Sequence, residues 1–349
     1  MNNNSAHFDV AVIGGGVIGL SCAWQLAARG ARVVVFDRLQ AGREASYAAG
    51  GMLAPACEAA AHPWNCSAQA REEMLSFCFH SRDSYPDFAA RLGEETGIDI
   101  ELSLRAAATG DWREAGILFV PKNEKDPRLD ALLEHGLAAA WRDKTAVFLP
   151  DDGQVESRKV VDALRAAVKA RGVEIRENCQ IRRLRIENGR AVGIDDDKDT
   201  VRAERVLLCA GAWSGKIAGV PQEITESLRP VAGQMIQVRG ERRVRHVIYS
   251  DACYLVPRRD GRLLIGATVE ENGFQKRVTA GGVAKLLTAA CELVPDLSDA
   301  PLESHWAGLR PTTGDGLPLL GTTSVQNLYV ATGHGRNGVL LAPATARAL

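Results

Sequence analysis

The sequence lacks an excess of charge of either sign. Its 349 residues include 42 basic and 43 acidic side chains, which gives a net charge of −1, and no long run of like charge occurs. A nucleic-acid backbone or an anionic membrane surface therefore has no obvious basic face to bind. We predict that nucleic acid is not a partner of this protein.

Signals for export and for disulfide bonding are also absent. The N-terminal residues MNNNSAHFD lack the basic segment that begins a signal peptide, and the chain contains no C-x-x-C pair. The eight cysteines are spread over the whole chain, at positions 22, 57, 66, 78, 179, 209, 253 and 291. Such scatter is typical of reduced thiols, so we predict a cytoplasmic protein.

A metal centre is not indicated either. The densest group of candidate ligands consists of Cys57, His62, Cys66, Cys78 and His80, and its spacing fits no common zinc pattern. We interpret these side chains as packing and loop residues and predict no metal.

One uncharged stretch, residues 10–28, is long enough by itself to span a membrane. It contains four glycines, Ser21 and Gln25, and it begins like a β-strand, so we predict no membrane segment. The hydrophobic content of 46% is that of a globular protein, and the length suggests about two domains at ~150 residues each. Glycine is abundant, with 34 residues against a usual share of ~7%.

The first glycines lie in a dinucleotide-binding pattern. Residues 8–13, FDVAVI, predict a strand buried on both faces, and the sequence GGGVIG follows at 14–19. A helical pattern then runs to Gly30, and a second predicted strand, residues 32–36, ends at Asp37. Strand, glycines, helix, strand and acid in this order form a specific signal.

Each part of this unit has a mechanical role. Gly14 permits a tight turn, Gly16 lets the backbone approach a pyrophosphate, and Gly19 allows close packing of helix and strand. The phosphates would meet the N–H groups at the start of the helix, and Asp37 would accept hydrogen bonds from ribose hydroxyls. We therefore predict an adenine dinucleotide, and the acid disfavours NADP.

The next segment favours a second contact with a large ligand. Residues 41–55, AGREASYAAGGMLAP, are small, polar and glycine-rich, and we predict that they form no helix of their own. Ser46, Gly50 and Gly51 would let backbone N–H groups approach a planar or phosphate group. This unit alone leaves NAD and FAD open, although a nicotinamide enzyme would be expected to start its next strand sooner.

At this point the chain resembles the FAD-dependent amine and D-amino-acid oxidase family, and most closely the glycine oxidases of thiamine biosynthesis. Four stretches carry the resemblance: GGGVIG, EASYAAGGMLAP, CYLVPRRDGRLLIGAT at 253–268, and WAGLRPTTGDGLPLLG followed by ATGHGRNGVLLAPAT at 306–345. The fold that the resemblance implies is α/β, with a Rossmann-like FAD-binding domain interleaved with an α+β substrate domain on a mixed sheet. We expect the FAD-binding domain in 5–60, 150–224 and 308–349, and the substrate domain in 61–149 and 225–307.

Local patterns in the rest of the chain agree with this interleaving. A helical spacing after Pro150 includes Val160 and Leu164 and ends at Gly172. Further predicted elements are strands at 180–186, 190–194 and 202–209, a hairpin turn at 187–189, strand-rich segments at 98–120 and 228–309, and a helix at 339–349 that tolerates Pro343.

The resemblance also implies which residues contact FAD. They are Gly14, Gly16, Val17, Ile18, Gly19, Asp37, Arg38, Ala45, Ser46, Gly50, Gly51, Met52, Ile181, Gly211, His334, Gly335, Arg336, Asn337, Gly338, Val339 and Leu340. In related sarcosine oxidases a cysteine near the position of Arg310 links the flavin covalently. Because the last cysteine here is Cys291, we expect FAD to be noncovalent.

Three residues match the family's substrate site. Arg310, in GLRP, matches the arginine that holds the substrate carboxylate, which a guanidinium can bind through two parallel hydrogen bonds. Tyr254 matches the tyrosine that supports this carboxylate, and Arg336, in HGRNG, matches a second arginine at the ligand and the flavin. His334 could act as a base, but hydride transfer from a neutral amine needs none, and the family assigns this position to cofactor contact.

The expected reaction is oxidation of glycine or a similarly small amino acid, with hydride transfer to the flavin and reoxidation by O2. One alternative is a dehydrogenase or oxidase of D-amino acids or sarcosine that passes electrons to a carrier, and another is a redox-inactive flavin-binding protein. The active-site lining around Ala252, Cys253 and Thr268 does not predict the size of the pocket for the substrate side chain. We expect a homo-oligomer.

Overall fold

A computed structural model describes residues 7–105, 115–142, 144–196, 199–240 and 244–349. These residues form two eight-stranded sheets and one two-stranded ribbon, with helices packed against the sheets. The strands are β1 (Phe8–Ile13), β2 (Val33–Phe36), β3 (Met52–Leu53), β4 (Ile117–Phe119), β5 (Leu137–Trp141), β6 (Lys144–Leu149), β7 (Gly153–Gln154), β8 (Glu174–Arg176), β9 (Arg183–Glu187), β10 (Arg190–Asp195), β11 (Thr200–Leu208), β12 (Leu228–Arg239), β13 (Val247–Tyr249), β14 (Tyr254–Pro257), β15 (Arg262–Gly266), β16 (Leu302–Thr313), β17 (Leu319–Thr322) and β18 (Leu328–Thr332). The helices are α1 (Val17–Ala28), α2 (Ala45–Ala48), α3 (Pro55–Ala61), α4 (Ala68–Asp83), α5 (Tyr85–Thr96), α6 (Arg128–Leu133), α7 (Ser157–Ala170), α8 (Gln222–Ser227), α9 (Ala280–Leu293) and α10 (Gly338–Ala348).

The first sheet has the order β17-β18-β11-β1-β2-β8, and the hairpin β9-β10 is attached to β11. Its central strand β1 pairs in parallel with β2 and β11, as expected of a strand that is apolar on both faces. The predicted unit is confirmed, since β1 ends at Ile13, α1 begins at Val17 and β2 ends at Phe36. The carboxyl ends of parallel strands share one edge, so Gly14 and Asp37 lie at the same edge.

The second sheet has the order β16-β12-β15-β14-β13-β4-β6-β5. Its longest strands, β12 and β16, form an antiparallel ladder from the pair Leu228 and Thr313 to the pair Val238 and Leu302. Arg310 stands opposite Val231 in this ladder. Helix α9 packs against β12 and β15 and buries one face of the sheet. The α/β class with two mixed sheets confirms the predicted fold.

The helices that cover the first sheet share one apolar core. Trp24 of α1 is fully buried, and its ring meets Phe88 of α5 edge to face at 5.6 Å between centroids. The indole Nε1 donates a hydrogen bond to Glu95, whose carboxylate also binds Arg171. Buried aromatic side chains of this size contribute strongly to the stability of such a core, and the hydrogen bond satisfies the one polar atom of the indole.

Several local predictions are confirmed by the structure. The hairpin between β9 and β10 turns at Asn188 and Gly189, which both have positive φ, as a two-residue type I′ turn requires. Helix α7 ends at Ala170 and is followed by Gly172 with φ +76°, and α10 runs over residues 338–348 with Pro343 inside it.

One local prediction needs correction. The segment 41–55 does form a short helix, α2, because the Ser46 hydroxyl accepts the N–H of Val17 and docks this turn against α1. The predicted strand-rich region 228–309 contains β12, β13, β14, β15 and most of β16, and α9 interrupts it with apolar side chains at helical spacing. Of the region 98–120, residues 106–114 lie outside the described residues, and the strand β4 is its one regular strand among those described.

The uncharged stretch 10–28 divides into most of β1, the glycine turn and α1, a helix of 12 residues. In the part of the chain that the structure describes, no helix has both the length and the apolar character needed to cross a bilayer. The eight cysteines are all free thiols.

The predicted domain boundaries stay a prediction. The two sheets do draw on alternating parts of the chain, since β4–β6 and β12–β16 form the second sheet. However, β16 crosses the boundary predicted at residue 308, and α4 and α5 pack against α10 and α7.

Candidate active site

A large cavity runs between the two sheets. It encloses about 1790 Å³ of empty space, including its open mouth, and its walls come from both sheets and from the turns at the edge of the first sheet. The glycine turn and Asp37 lie in this wall, and so do Tyr254, Arg310 and Arg336. The cavity is therefore long enough to connect the predicted nucleotide site with the predicted substrate site.

The glycine turn is shaped by close contacts that exclude side chains. Gly14 has φ +106°, and a Cβ there would lie 2.3 Å from the carbonyl oxygen of Cys209. A Cβ on Gly19 would lie 1.9 Å from the carbonyl oxygen of Gly14. The backbone therefore turns tightly, and Gly16 and Val17 at the N-terminal end of α1 line the cavity. A helix N-terminus in this place provides N–H groups and a positive dipole end for phosphates.

Asp37 is tied to the same turn. Its Oδ2 accepts the N–H of Gly15 at 3.0 Å, and its Oδ1 accepts the N–H of Leu39 at 2.9 Å. Burial raises the pKa of this carboxyl above its usual value, and the two N–H groups oppose that shift. Each carboxylate oxygen keeps a lone pair after these bonds, which is the acceptor capacity that ribose hydroxyls need.

Beyond Asp37, charged and aromatic groups stack at the cavity wall. The guanidinium of Arg38 lies 3.8 Å from the ring centroid of Trp213 and forms a 2.8 Å ion pair with Glu44. All three side chains line the cavity, together with Ile181. Flat groups of this kind suit the adenine end of a dinucleotide.

At the other end, the C-terminal segment bends around the cavity. Gly333 and Gly335 have φ +77° and +55°, and α10 begins at Gly338, which lines the wall. His334 is buried, its Nε2 lies 3.1 Å from the Thr345 hydroxyl, and burial lowers its pKa to about 3. The imidazole is therefore neutral near pH 7 and too weak a base for proton abstraction there.

Arg336 is held by two partners. Its Nε donates to Glu58 at 2.9 Å, and its Nη2 donates to the hydroxyl of Tyr249 at 2.8 Å. Burial opposes the charge of Arg336, but the carboxylate outweighs it and raises the pKa of the guanidinium. Burial likewise works against the charge of Glu58, and Arg336 keeps the pKa of that carboxyl below its usual value. Both side chains are thus charged near neutral pH.

Arg310 is positioned by the backbone of the second sheet. Its Nη1 donates to the carbonyl oxygens of Ala232 at 3.3 Å and Thr268 at 3.2 Å. Burial lowers the pKa of the guanidinium, but the ordinary pKa of an arginine is so high that the group stays charged near neutral pH. With Arg310, Arg336 and Glu58 all ionised, this end of the cavity carries one net positive charge.

Tyr254 lies beside Arg310 under tight packing. Its hydroxyl is 3.0 Å from the sulfur of Met235, and burial raises the pKa of the phenol. A Cβ on Gly50 would lie 3.1 Å from the ring, so the turn of residues 48–51 passes directly over Tyr254. The predicted substrate residues and the predicted flavin turn are therefore neighbours.

The cavity brings together nearly all of the predicted site residues. Every predicted cofactor residue lines its wall except Gly19, which packs behind the turn, and Leu340, which is buried in α10 with its carbonyl oxygen accepting from Ser81. The roles of the lining residues in binding stay predictions.

Sequence reasoning missed four features of this site: Glu58, Tyr249, Trp213 and Gly233. Glu58 follows the glycine-rich segment in a run of small residues, where one acidic side chain gives little signal. Its pairing with Arg336 spans 278 positions and requires the fold. Trp213 lies two residues after Gly211, a predicted FAD contact, and this position is its one signal in the sequence.

Gly233 offers a direct test of the Arg310 position. A Cβ at this residue would lie 2.4 Å from Nη2 of Arg310, so Gly233→Ala must displace the guanidinium. Overpacking costs about 1–3 kcal/mol, and we expect the KM of the carboxylate substrate to rise about 5- to 150-fold. Steady-state kinetics measure this change, and the Kd for FAD should stay within twofold. Gly93→Ala in α5, where a Cβ meets no atom within 4 Å, is the matched control, and an equal effect there would contradict the assignment.

Comparison with known families decides the identity of the fold. The model of the FAD dependent oxidoreductase family (DAO) matches residues 9–349. The chain belongs to the FAD dependent oxidoreductase family. This membership confirms the family predicted from the four sequence stretches and makes FAD the cofactor.

Relatives of this FAD dependent oxidoreductase are found among glycine oxidases. The glycine oxidase of Pseudomonas putida is 35% identical over 349 residues, which covers 97% of this chain and 92% of that protein. The bifunctional protein ThiO/ThiG of Trichormus variabilis is also 35% identical, over 97% of this chain. The chain spans about half, 51%, of that relative's length. The crystal structure of glycine oxidase from Geobacillus kaustophilus superposes with a TM-score of 0.85 at 32% identity, covering 98% of this chain and 93% of the other.

The cavity of this FAD dependent oxidoreductase fits the cofactor in two respects. The wall presents two helix N-termini, those of α1 and α10, with glycines where a Cβ would obstruct the backbone. Asp37 sits at the end of β2 with acceptor capacity for the ribose, as dinucleotide-binding folds require. These residues would hold the adenosine and pyrophosphate, and the turn 48–51 with residues 334–339 would hold the flavin.

Proposed function

We propose that this protein is an FAD-dependent oxidase of glycine or a similarly small amino acid. The single observation that carries the proposal is the net positive pocket of Arg310, Arg336 and Glu58, which lies beside Tyr254 and the turn 48–51. One uncompensated positive charge matches one carboxylate. The names of the relatives, glycine oxidase in several bacteria, support the choice of amino acid.

Arg310 binds the substrate carboxylate in this proposal. Because two backbone carbonyls hold Nη1, the guanidinium plane is fixed before the substrate arrives. A fork of two hydrogen bonds then sets the direction of the Cα–H bond as well as the affinity. Arg336 is less available for this role, since Glu58 and Tyr249 already accept from its Nε and Nη2 donors.

The packing of Tyr254 favours a small substrate. A Cβ on Gly50 would lie 3.1 Å from its ring and a Cβ on Gly266 would lie 2.6 Å from it, so the ring has no room to retreat. A substrate side chain would require this ring or the turn 48–51 to move. Glycine fits without that displacement.

Bound FAD supplies the acceptor for the hydride that leaves Cα. The chain must then present a neutral amine, because an ammonium group has no lone pair to assist hydride loss. Arg310 and Arg336 disfavour a further positive charge beside them and so lower the pKa of the bound amine. Among the described residues of the cavity wall, His334 is too weak a base, and the carboxylate of Glu58 is paired with Arg336. We therefore propose that solvent water accepts the proton of the amine.

The remaining parts of the proposal concern the acceptor, the assembly and the compartment. With O2 as acceptor, glycine, O2 and water give glyoxylate, ammonia and hydrogen peroxide. We further propose that FAD is noncovalent. Of the two cysteines in the cavity wall, Cys209 has a thiol whose pKa is raised by burial, which keeps it protonated, and the Cys179 thiol donates to Asp196. A homo-oligomer in the cytoplasm is the expected form.

A substrate panel with peroxide detection tests the proposal. The purified holoenzyme is mixed under air with glycine, sarcosine and D-alanine, and peroxide is followed by a coupled dye. We expect peroxide with glycine and a rate that rises with pH as the amine becomes neutral.

Three other results would each point elsewhere. Bleaching of the flavin without peroxide indicates a dehydrogenase that needs a carrier. A strong preference for sarcosine or D-alanine indicates a wider pocket than the packing of Tyr254 suggests. FAD binding without bleaching by any of the three amines contradicts an oxidoreductase role at this site.

A further inference from the structure

The turn of residues 48–51 is held by its carbonyl groups. Four consecutive carbonyl oxygens each accept a hydrogen bond from a donor on a different element. The pairs are Ala48 with Trp306 Nε1 at 3.0 Å, Ala49 with Ser157 Oγ at 2.7 Å, Gly50 with Arg258 Nη2 at 2.8 Å and Gly51 with Val155 N at 2.8 Å. The turn is thereby fixed to β16, α7 and the segments next to β7 and β14.

These four donors all stand behind the cavity wall. The residues of the turn line the cavity, whereas none of the four donor residues does so among the described lining residues. In a trans peptide the C=O and N–H groups point in opposite directions. The N–H groups of residues 49–52 are therefore turned away from the donors, toward the side that faces the cavity.

Arg258 is the charged member of this set. It follows β14 directly, and its side chain is only 2% exposed. Besides Gly50, its Nη1 donates to the carbonyl oxygen of Val155 at 2.8 Å and to Gln154 Oε1 at 3.0 Å. Its Nε lies 3.3 Å from the buried carboxylate of Glu156, so the charge is compensated.

Arg258 contacts both the turn itself, at Gly50, and the neighbouring residue Val155 that also supports the turn. Val155 accepts from Arg258 through its carbonyl and donates its N–H to Gly51, and a Cβ on Gly51 would lie 2.1 Å from that carbonyl oxygen. One planar guanidinium thus sets the positions of Gly50 and Val155 at once. A lysine has no planar fork with which to do this.

We propose that Arg258 is a positioning residue for the cofactor: it aims the N–H groups of residues 49–52 at the heterocyclic ring of FAD. This inference rests on FAD binding and not on the identity of the amino-acid substrate. N–H groups aimed at the ring stabilise the reduced, negatively charged form more than the oxidised form. Arg258 therefore influences both the affinity for FAD and its reduction potential without touching it.

The test compares Arg258→Met with Arg259→Met in the full-length protein. Arg259 is the adjacent residue, it is exposed, and it pairs with Asp99 away from the turn. In Arg258→Met, Glu156 keeps its ion pair with Arg262 at 3.0 Å. The Kd for FAD is measured by fluorescence quenching, and the midpoint potential is measured with a reference dye at saturating FAD.

For Arg258→Met we expect the Kd for oxidised FAD to rise about tenfold. We expect the affinity for reduced FAD to fall a further tenfold, which lowers the two-electron midpoint potential by about 30 mV. Arg258→Lys, which keeps the charge, covers the case in which the methionine variant does not fold, and it should show the same direction with a smaller change. Arg259→Met should leave both quantities unchanged.

Two outcomes would overturn the proposal. One is an unchanged Kd and potential in the Arg258 variants, whether or not their thermal stability falls. The other is an equal change in Arg259→Met. Neither readout uses glycine, so a failure of the proposed substrate would leave this test intact.

Discussion

Arg310→Met lowers kcat/KM for glycine by about 30- to 4,000-fold. Truncating one partner of a buried, hydrogen-bonded charge pair costs about 2–5 kcal/mol, and each 1.4 kcal/mol is a factor of ten. Arg310 is half-buried and its Nη1 is held by two carbonyl oxygens, so neighbouring side chains cannot take its place without moving those contacts. The change is measured by steady-state kinetics and by the rate of anaerobic flavin bleaching.

Arg310→Lys is the companion variant. A lysine keeps the positive charge but offers a point charge in place of the fork, so we expect an intermediate loss. FAD content should stay at the wild-type level in both variants. A methionine variant with wild-type kcat/KM would show that the carboxylate is bound elsewhere, and Arg336 would be the next residue to change.

Glu58→Gln destabilises the protein by about 3–5 kcal/mol at neutral pH. Removing one partner of a buried ion pair leaves the other charge uncompensated, and Glu58 is only 7% exposed in its pair with Arg336. The free energy of unfolding is measured by urea titration of the holoenzyme. Glu73→Gln, an exposed carboxylate of α4 that pairs with Gln69, is the control and should change stability by less than about 0.5 kcal/mol.

Glu58→Gln also separates substrate binding from catalysis. Without Glu58, Arg336 is free to pair with the substrate carboxylate, so we expect KM for glycine to fall. The carboxylate is then drawn away from Arg310, and a displacement of about 1 Å can cost about 100-fold in rate, so kcat falls. A higher KM with an unchanged kcat would contradict this account.

The pH dependence of the Glu58 effect has a definite sign. The folded pKa of this carboxyl lies below its unfolded value of 4.5, so its stabilising contribution is present above 4.5 and is lost as pH falls through the folded pKa. The stability difference between wild type and Glu58→Gln should therefore be constant from neutral pH down to about 5 and shrink at lower pH. A difference that grows on acidification would contradict the assignment.

Much of the fold was predictable because its signals are local. The strand, glycine turn, helix and acid of residues 8–37 follow one another in sequence, and each is recognised by its own pattern. Arg310 and Arg336 were identified by the motifs around them, and the cavity contains both. Neither inference required knowledge of long-range pairing.

The features that escaped prediction depend on pairing between distant segments. Glu58 becomes part of the site only because the fold brings α3 next to Arg336. Gly233 lies beside Arg310 only because β12 and β16 pair in this register. Helix α2 forms because Ser46 docks on α1, although the composition of its segment favours a loop. In each case tertiary contact decided the outcome, and a window of neighbouring residues does not contain that information.

The long ladder of β12 and β16 has a consequence for how the substrate is received. Arg310 faces the cavity because the register of the two strands pairs it with Val231. A shift of β16 by one residue along β12 would place the guanidinium on the other face of the sheet. The orientation of Arg310, the proposed carboxylate-binding residue, is therefore settled when the sheet folds and requires no ordering of a loop when substrate arrives. We expect association to be limited by diffusion through the mouth, with little of the conformational entropy loss that mobile binding loops incur.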